Sequence, residues 1–200
     1  ARTQCQGIRD ALHRLRAHIT GKLLIAMPGM RDSRFSAAVV LLCAHSDEGA
    51  MGLMINRPAL GVRLGDLFEQ LNVECEGGAG EMPVLSGGPV EEERGFVLHT
   101  REYQSAISTL NVTDELAMTA TMDIMEDIAD DRGPERALVA LGYCGWGEGQ
   151  LEHEMGLNAW LTCDATAELV FGRDLGGKWE AALRSLGINP ATLSALSGRA

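Results

Sequence analysis

The sequence lacks long apolar runs and any pattern typical of membrane insertion or secretion. The chain has 200 residues, of which 46% are apolar and 22% charged, a composition typical of a globular protein rather than a disordered one. Its longest uninterrupted apolar run, residues 37–44, has eight residues, whereas a membrane-spanning helix needs about 18. The first residues lack the basic, apolar and small-residue order of a secretory signal. We therefore expect no membrane span.

Cysteine is sparse and is not arranged in pairs. The cysteines are odd in number, and no two of them form a C-x-x-C motif. A secreted disulfide framework has an even and denser set. The pattern predicts reduced thiols and a cytoplasmic location. The five residues are Cys5, Cys43, Cys75, Cys144 and Cys163.

Positive charge is also scarce, and it is unevenly distributed. The chain has 17 Lys and Arg against 28 Asp and Glu, a net charge of −11. The first 22 residues hold five basic residues and one acidic residue, whereas the remaining 178 hold 12 basic and 27 acidic residues, a net −15. An acidic body without a helix-turn-helix pattern argues against direct nucleic-acid binding, which requires a basic face.

Residues 1–21 form a basic amphipathic extension in front of a single predicted domain at residues 22–200. Ile8, Leu12, Leu15 and Ile19 fall on one face of a helix, and four arginines accompany them. Three interpretations remain open for this extension. It packs on the acidic body, it binds a partner or a membrane surface, or it is a transit-like segment.

The body alternates between short apolar strands and amphipathic helices without strict order, which predicts a mixed α+β fold. Pro58 is expected to end a strand, because proline cannot donate to the ladder. Asp123 and Glu126 predict a helix capping box. We expect strands at residues 22–26, 37–45, 50–56, 82–85, 95–100, 105–111, 115–119, 136–143, 158–163 and 168–171, and helices at residues 64–71, 123–131, 150–155 and 178–186, with a short helical tail after Pro190.

Three patterns suggest catalysis or metal binding, and each is incomplete. Residues 172–178 match G-x-x-x-x-G-K of a phosphate-binding loop, but Trp179 stands where Ser or Thr is required. Cys144 has His99 and His153 as candidate bases. Residues 152–154 (EHE) supply metal-ligand types, but consecutive helical residues do not face one ion. We predict no catalytic residue, metal or cofactor, and we keep a small hydrolase or phosphate-handling enzyme as an alternative.

Glycine-framed turns are the strongest candidates for a binding surface. Residues 145–150 (GWGEGQ) place three glycines around one tryptophan just before a predicted helix. Glycines there expose backbone amides that can bind an anion or another ligand. The alternative is a tight structural turn with Trp146 in the core.

Seven sequence blocks occur in a characteristic order and spacing. They are residues 24–28 (LIAMP), 49–58 (GAMGLMINRP), 87–90 (GGPV), 94–99 (RGFVLH), 141–146 (LGYCGW), 149–152 (GQLE) and 158–161 (NAWL). In these blocks the chain resembles the YqgE/AlgH family of bacterial proteins over about residues 22–200. The resemblance implies a bifurcated β-sheet curled into a pseudo-barrel with flanking helices. It also implies a candidate transcriptional regulator, because members of the family are described in that way, although no common enzymatic activity is established for them.

Two positions depart from the family pattern. Ser33 follows Asp32 where the family usually has proline, and Cys144 stands where a small residue such as alanine is usual. The second departure weakens the case for Cys144 as a nucleophile.

We therefore expect a non-catalytic regulatory protein that acts through a protein partner or a small ligand. A small enzyme and a direct DNA-binding regulator are the alternatives. The hypothesis predicts that Trp146→Ala or Arg94→Ala removes function without unfolding the protein. The candidate surface consists of Asn56, Arg57, Gly87, Gly88, Pro89, Arg94, His99, Gly145, Trp146, Gly149 and Gln150.

Overall fold

A computed structural model describes residues 19–197. The predicted amphipathic extension lies almost wholly outside these residues. No helix within residues 19–197 is both long and apolar enough to cross a membrane.

One curled sheet of ten strands organises the described chain and forms a half-barrel. The strand order is β10-β1-β2-β3-β9-β6-β8-β7, and the remaining two strands, β4 and β5, pair with each other. The strands are β1 (Lys22–Ala26), β2 (Val39–Ser46), β3 (Gly49–Met54), β4 (Pro58–Arg63), β5 (Pro83–Ser86), β6 (Val90–Thr100), β7 (Leu110–Asn111), β8 (Leu116–Thr119), β9 (Ala137–Gly147) and β10 (Trp160–Asp164).

The sheet divides at β9. The first half of β9 pairs antiparallel with β6 and parallel with β5, and its last four residues pair antiparallel with β3. The predicted bifurcated sheet with flanking helices is therefore confirmed. At the branch, the Met54 amide donates to the Gly87 carbonyl at 2.8 Å, and the Gly87 amide donates to the Leu141 carbonyl at 2.7 Å.

Glycines are required at this branch because backbone packs directly on backbone. A Cβ on Gly88, whose φ is +154°, would lie 2.1 Å from the Tyr143 carbonyl carbon. A Cβ on Gly87 would lie 2.3 Å from the Gly142 carbonyl oxygen. A side chain at either position would force the two strands apart, so these glycines shape the fold.

Within residues 19–197, six α-helices cover the sheet. They are α1 (Leu64–Leu71), α2 (Met122–Ala129), α3 (Gln150–Gly156), α4 (Ala167–Phe171), α5 (Lys178–Ser185) and α6 (Pro190–Ser197). Helices α1 and α2 pack over one branch of the sheet around Phe68 and Val139, while Leu151 of α3 packs with Trp146 on the other. Helices α4 and α5 add Phe171 and Leu183 to a third cluster, which includes the inner residues of β1 and β2.

The structure corrects four sequence expectations. Residues 168–171 form helix α4 rather than a strand, since the Thr166 hydroxyl accepts a hydrogen bond from the Leu169 amide and caps it. Pro58 begins strand β4 instead of ending a strand. Helix α2 begins at Met122 with Thr121 as its N-cap, and the predicted cap Asp123 lies in the first turn, where its carboxylate accepts from the Ala106 amide at 2.9 Å. Of residues 105–111, only the last two form a strand.

Candidate functional site

A cleft of about 770 Å³ opens between the end of β9, the start of α3 and the loop after β1. We call it the tryptophan cleft. Four of the predicted surface residues line it, namely Pro89, Gly145, Trp146 and Gln150. The other lining residues are Met27, Gly29, Met30, Arg31, Asp32, Arg34, Phe35, Val90, Glu154, Leu157, Asn158 and Ala159.

A shared carboxylate orders the wall of the cleft. Glu154 Oε2 accepts hydrogen bonds from the indole nitrogens of Trp146, at 3.0 Å, and Trp160, at 2.8 Å. The two rings meet edge to face with centroids 5.9 Å apart, and Phe35 meets Trp160 in the same way at 5.7 Å. Such aromatic pairs are favourable beyond their buried area. Phe35 and Trp146 therefore form the aromatic lining of the cleft, with Trp160 packed behind them and both indole nitrogens hydrogen-bonded.

The turn from β9 into α3 holds this wall in place. Gly149 precedes the helix with φ of +69°, a left-handed conformation that glycine adopts without steric cost. The Gln150 side chain accepts from the Gly147 amide and donates to Glu154 Oε1, both at 3.0 Å. Both functional groups of Gln150 are thus engaged, so the glycine-rich turn serves mainly to position Trp146 and Glu154.

The opposite rim carries the cations of the cleft. Asp32 caps the short 3₁₀ turn Ser33–Phe35, and its carboxylate accepts from the Arg34 guanidinium at 2.6 Å. The hydrogen bonds from Arg34 lower the pKa of Asp32. Arg31 lies exposed on the same rim, and the structure gives its side chain no partner among the described residues.

Asn56 and Arg57 support the rim from behind. The Asn56 side chain accepts from the Val39 amide at 2.9 Å and donates to the Ala37 carbonyl at 2.8 Å. The Arg57 guanidinium donates to the carbonyl oxygens of Arg34 and Ser36 at 2.7 and 2.8 Å. These predicted surface residues therefore hold the rim loop in its conformation rather than face the cleft.

Three further predicted residues lie elsewhere. Gly87 and Gly88 are buried at the branch of the sheet. Arg94 lines a neighbouring groove of about 780 Å³, which shares Gly145 and Trp146 with the tryptophan cleft. Its guanidinium pairs with Glu91 at 3.1 Å and lies 5.2 Å from the centre of the Phe96 ring.

His99 does not belong to a surface. It is fully buried, and its ring nitrogens lie 2.8 Å from the Thr100 carbonyl oxygen and 2.9 Å from the Thr119 hydroxyl. Burial lowers its pKa, although the Thr100 carbonyl opposes the shift. The inclusion of His99 in the predicted surface was wrong, because both faces of β6 are covered over residues 96–99.

The residues of the enzyme hypothesis are placed for structural roles. Cys144 is fully buried, and burial raises the pKa of its thiol to about 12. A reactive thiolate instead requires a lowered pKa and access. Lys178 is 3% exposed and donates to the carbonyl oxygens of Ile55 and Val170. Asp174 accepts from the Gly177 amide at 3.0 Å, which is the amide that a phosphate would bind.

Metal-ligand types do not converge in the described structure. Among residues 19–197 no group of three or more His, Cys, Asp and Glu is placed to hold a metal ion. Glu152 lies 2.8 Å from His45 Nε2, and Glu154 binds the two indoles.

Sequence reasoning missed several residues of the cleft. The sequence pattern presented Glu154 only as part of an incomplete metal motif. However, Glu154 follows Gln150 by four residues on a helix, a spacing that predicts contact between the two side chains. No sequence pattern identified Phe35 and Arg31 as lining residues, since they lie in an irregular loop. Trp160 stood in a family block, but three strands separate β10 from β9 in the sheet, and only the folded chain places its ring beside Trp146.

Comparisons with known proteins agree on one family. A family model described as AlgH-like matches residues 23–191. A UPF0301 protein from Paracoccus denitrificans is 52% identical over 186 residues, covering 92% of this chain and 98% of the relative. A UPF0301 protein from Ruegeria pomeroyi is 54% identical over 183 residues, covering 91% of this chain and 99% of the relative.

Two solved structures share the fold. The solution structure of the AlgH protein from Pseudomonas aeruginosa is 41% identical, with a TM-score of 0.75, and the match covers 91% of this chain and 94% of that one. A crystal structure of a protein from Corynebacterium diphtheriae is 18% identical, with a TM-score of 0.67 over 88% of this chain and 89% of that one. The second match supports the fold alone.

Proposed function

The chain belongs to the AlgH-like family, and on that premise we propose that it is a non-catalytic regulatory protein of the bacterial cytoplasm that binds its ligand in the tryptophan cleft. The ligand is a small molecule or part of a partner protein. The observation that supports this proposal is the convergence of Pro89, Gly145, Trp146 and Gln150 on one cleft with an aromatic wall. Ligand sites are typically concave and apolar with a few convergent polar groups.

The chemistry of the cleft favours a ligand with an apolar body and one anionic group. Phe35, Met30 and Leu157 supply apolar surface, and Leu157 is 67% exposed. The carboxylates of Asp32 and Glu154 already accept hydrogen bonds from Arg34 and the two indoles. Arg31 is the cation on the rim whose donors are uncommitted among the described residues, so we expect it to bind the anionic group.

Regulation through a ligand or partner agrees better with the charge than direct DNA binding does. The family resemblance suggests a link to transcription, but the body carries a net −15 outside its first 22 residues. Such a body repels the phosphate backbone. We therefore propose that any effect on transcription is transmitted through a bound partner.

Methyl NMR on protein with ¹³C-labelled methionine tests the cleft directly, because Met27 and Met30 line it. The probe is 3-phenylpropionate, with the neutral 3-phenylpropan-1-ol as the matched compound. We expect the anion to shift the Met27 and Met30 signals saturably, with a Kd near the millimolar range for a ligand of this size. The alcohol should bind more weakly.

Variants separate the anion contact from general effects. Arg31→Gln should weaken 3-phenylpropionate binding about tenfold, equivalent to about 1.4 kcal/mol. Arg173→Gln, at an exposed position in the loop before α5, should leave the affinity unchanged. If both compounds leave Met27 and Met30 unaffected at millimolar concentrations in folded protein, the cleft does not bind this class of ligand and the proposal fails.

A further inference from the structure

A third cavity lies between helices α1 and α2, above strands β6 and β9. Its volume is about 170 Å³, and none of its lining residues lines the tryptophan cleft. We call it the interhelical groove. Its lining residues are Leu67, Gln70, Leu71, Glu93, Gly95, Phe96, Val97, Thr119, Ala120, Thr121, Met122, Met125, Val139 and Leu141.

The groove is apolar and has the size of one large side chain. Val97 and Val139 at its base are buried, whereas Leu71 of α1 and Met122 of α2 remain 40% and 42% exposed. A dry cavity of about 150 Å³ accommodates a benzene molecule. A single aromatic or branched aliphatic side chain therefore fits, and a whole helix does not.

The surroundings of the groove carry negative charge. Helix α1 contains Asp66 and Glu69, helix α2 contains Asp123, Glu126 and Asp127, and neither helix contains a Lys or Arg. Glu93 adds a further carboxylate to the lining. Arg132, beyond the end of α2, offsets Asp127 and Asp130. An occupant that brings positive charge on both sides of an apolar side chain would complement this pattern.

We propose that the interhelical groove docks a basic segment of a partner protein, which inserts one large apolar side chain between α1 and α2. Protein interfaces concentrate their binding energy in such buried anchors, and complementary charge around the anchor accelerates and orients association. A contact between the grooves of two copies of this chain is disfavoured, because both grooves are equally acidic. Nucleic acid is disfavoured for the same reason.

Methionine methyl signals distinguish this groove from the other sites on the same protein. Met122 and Met125 line the interhelical groove, Met27 and Met30 line the tryptophan cleft, and Met51 lines the groove next to it. The probe is the capped peptide KKGFGKK, titrated into the full chain. Its matched controls replace the phenylalanine by alanine or all four lysines by glutamate.

The expected result is a saturable shift of Met122 and Met125 with KKGFGKK. Loss of the anchor or of the positive charge should each weaken binding about tenfold or more. Shifts at Met27 and Met30 instead, or equal shifts with the alanine peptide, would overturn the proposal. So would the absence of any shift at millimolar peptide.

Reversal of one surface charge tests the electrostatic part of the proposal without changing the hydrophobic core. Glu126→Lys should weaken KKGFGKK binding several-fold and reduce its dependence on salt concentration. The matched control Glu115→Lys changes an exposed acid just before β8, and this variant should bind the peptide like the unchanged protein. Equal weakening in both variants would mean that only net charge matters, which contradicts a specific groove.

The remaining occupant, a second copy, is tested without peptide. In sedimentation velocity, the unchanged protein and the Met122→Glu variant should have the same sedimentation coefficient, because we expect no self-association through the groove. If the unchanged protein dimerises and Met122→Glu does not, the groove is a self-association surface and the proposal is wrong. Because the signals of Met27 and Met30 are separate, failure here leaves the test of the tryptophan cleft intact.

Discussion

The two halves of strand β9 have the same secondary structure but different surroundings. Its first half lies between β5 and β6, beneath α1 and α2, and none of its residues is exposed. Its last four residues pair with β3 and alternate between the buried Cys144 and Trp146 and the exposed Gly145 and Gly147. One half therefore closes the core, while the other presents one face to a cleft. The branch at Gly87 and Gly88 separates them.

The largest expected effect is at the branch itself. Gly88→Ala would place a Cβ 2.1 Å from the Tyr143 carbonyl carbon at a φ of +154°. We expect a loss of more than about 4 kcal/mol in the free energy of unfolding, or no folded protein, because neither backbone can move away without breaking the sheet. Urea denaturation followed by circular dichroism measures this.

Gly156→Ala is the matched control for that substitution. Nothing lies within 4 Å of a Cβ at Gly156, at the end of α3. Alanine there should change stability by less than about 1 kcal/mol, in the stabilising direction. If the Gly88→Ala protein is as stable as this control, close packing of the Gly88 backbone against β9 does not hold the branch of the sheet together.

The next largest effect is in the half of β9 at the cleft. Trp146→Ala should lower the free energy of unfolding by about 3–5 kcal/mol, because Trp146 is only 6% exposed and packs on Trp160. This revises the expectation from sequence that the variant folds normally. Trp146→Phe, which retains a ring but loses the hydrogen bond to Glu154, should lose roughly half as much or less. Chemical denaturation of both variants gives the comparison.

Arg94→Ala shows whether Arg94 and Trp146, which the sequence treated alike, differ in their contribution to stability. Arg94 is exposed and pairs with an exposed glutamate, so its removal should cost less than about 1 kcal/mol. If Trp146→Ala is as mild as Arg94→Ala, the tryptophan contributes little to the core and its role is confined to the cleft.

The smallest of the three main effects is the pH dependence that Cys144 gives to stability, which disappears when alanine replaces this residue. Burial raises the pKa of the Cys144 thiol to about 12, so the native state retains the proton that the unfolded chain loses above about pH 9. Each pH unit above 9 should then lower the free energy of unfolding by about 1.4 kcal/mol from this group. Below pH 9 the contribution is constant.

The measurement is the difference in unfolding free energy between the unchanged protein and Cys144→Ala, at pH 7 and at pH 10. The contribution of Lys178 is common to both proteins and cancels, and that of Cys43 cancels apart from the small part that Cys144 adds to its raised pKa. Between pH 7 and pH 10 we expect the difference to fall by about 1.4 kcal/mol, to the disadvantage of the unchanged protein. A difference independent of pH would mean that the thiol is accessible to solvent in the folded state.

Sequence patterns predicted most of the fold, and the errors have identifiable causes. The alternating and continuous apolar runs placed β1, β2 and β3 nearly correctly, because a strand buried on both faces needs such runs. Residues 168–171 were misassigned because a short apolar run fits a strand and a helix equally well. Thr166, two residues earlier, was the available cap signal.

The candidate site was predicted less completely than the fold. Trp146 and Gln150 were recognised from the glycine-rich turn, which is a local feature. Asn56 and Arg57 were recognised as well, but their partners are backbone groups of the rim loop some twenty residues away. Sequence spacing does not reveal such contacts, so supporting residues and lining residues could not be separated.

By itself, the sequence determined the family, the mixed fold, the acidic charge of the body and the presence of a glycine-framed turn. These properties follow from composition, local conformational preference and ordered motifs. The tertiary structure decided that Glu154 binds two indoles, that Gly88 packs on Tyr143, and that His99 and Cys144 are buried. Each of these contacts depends on which strands become neighbours, and that arrangement is set by burying apolar surface across the whole chain rather than by any one segment.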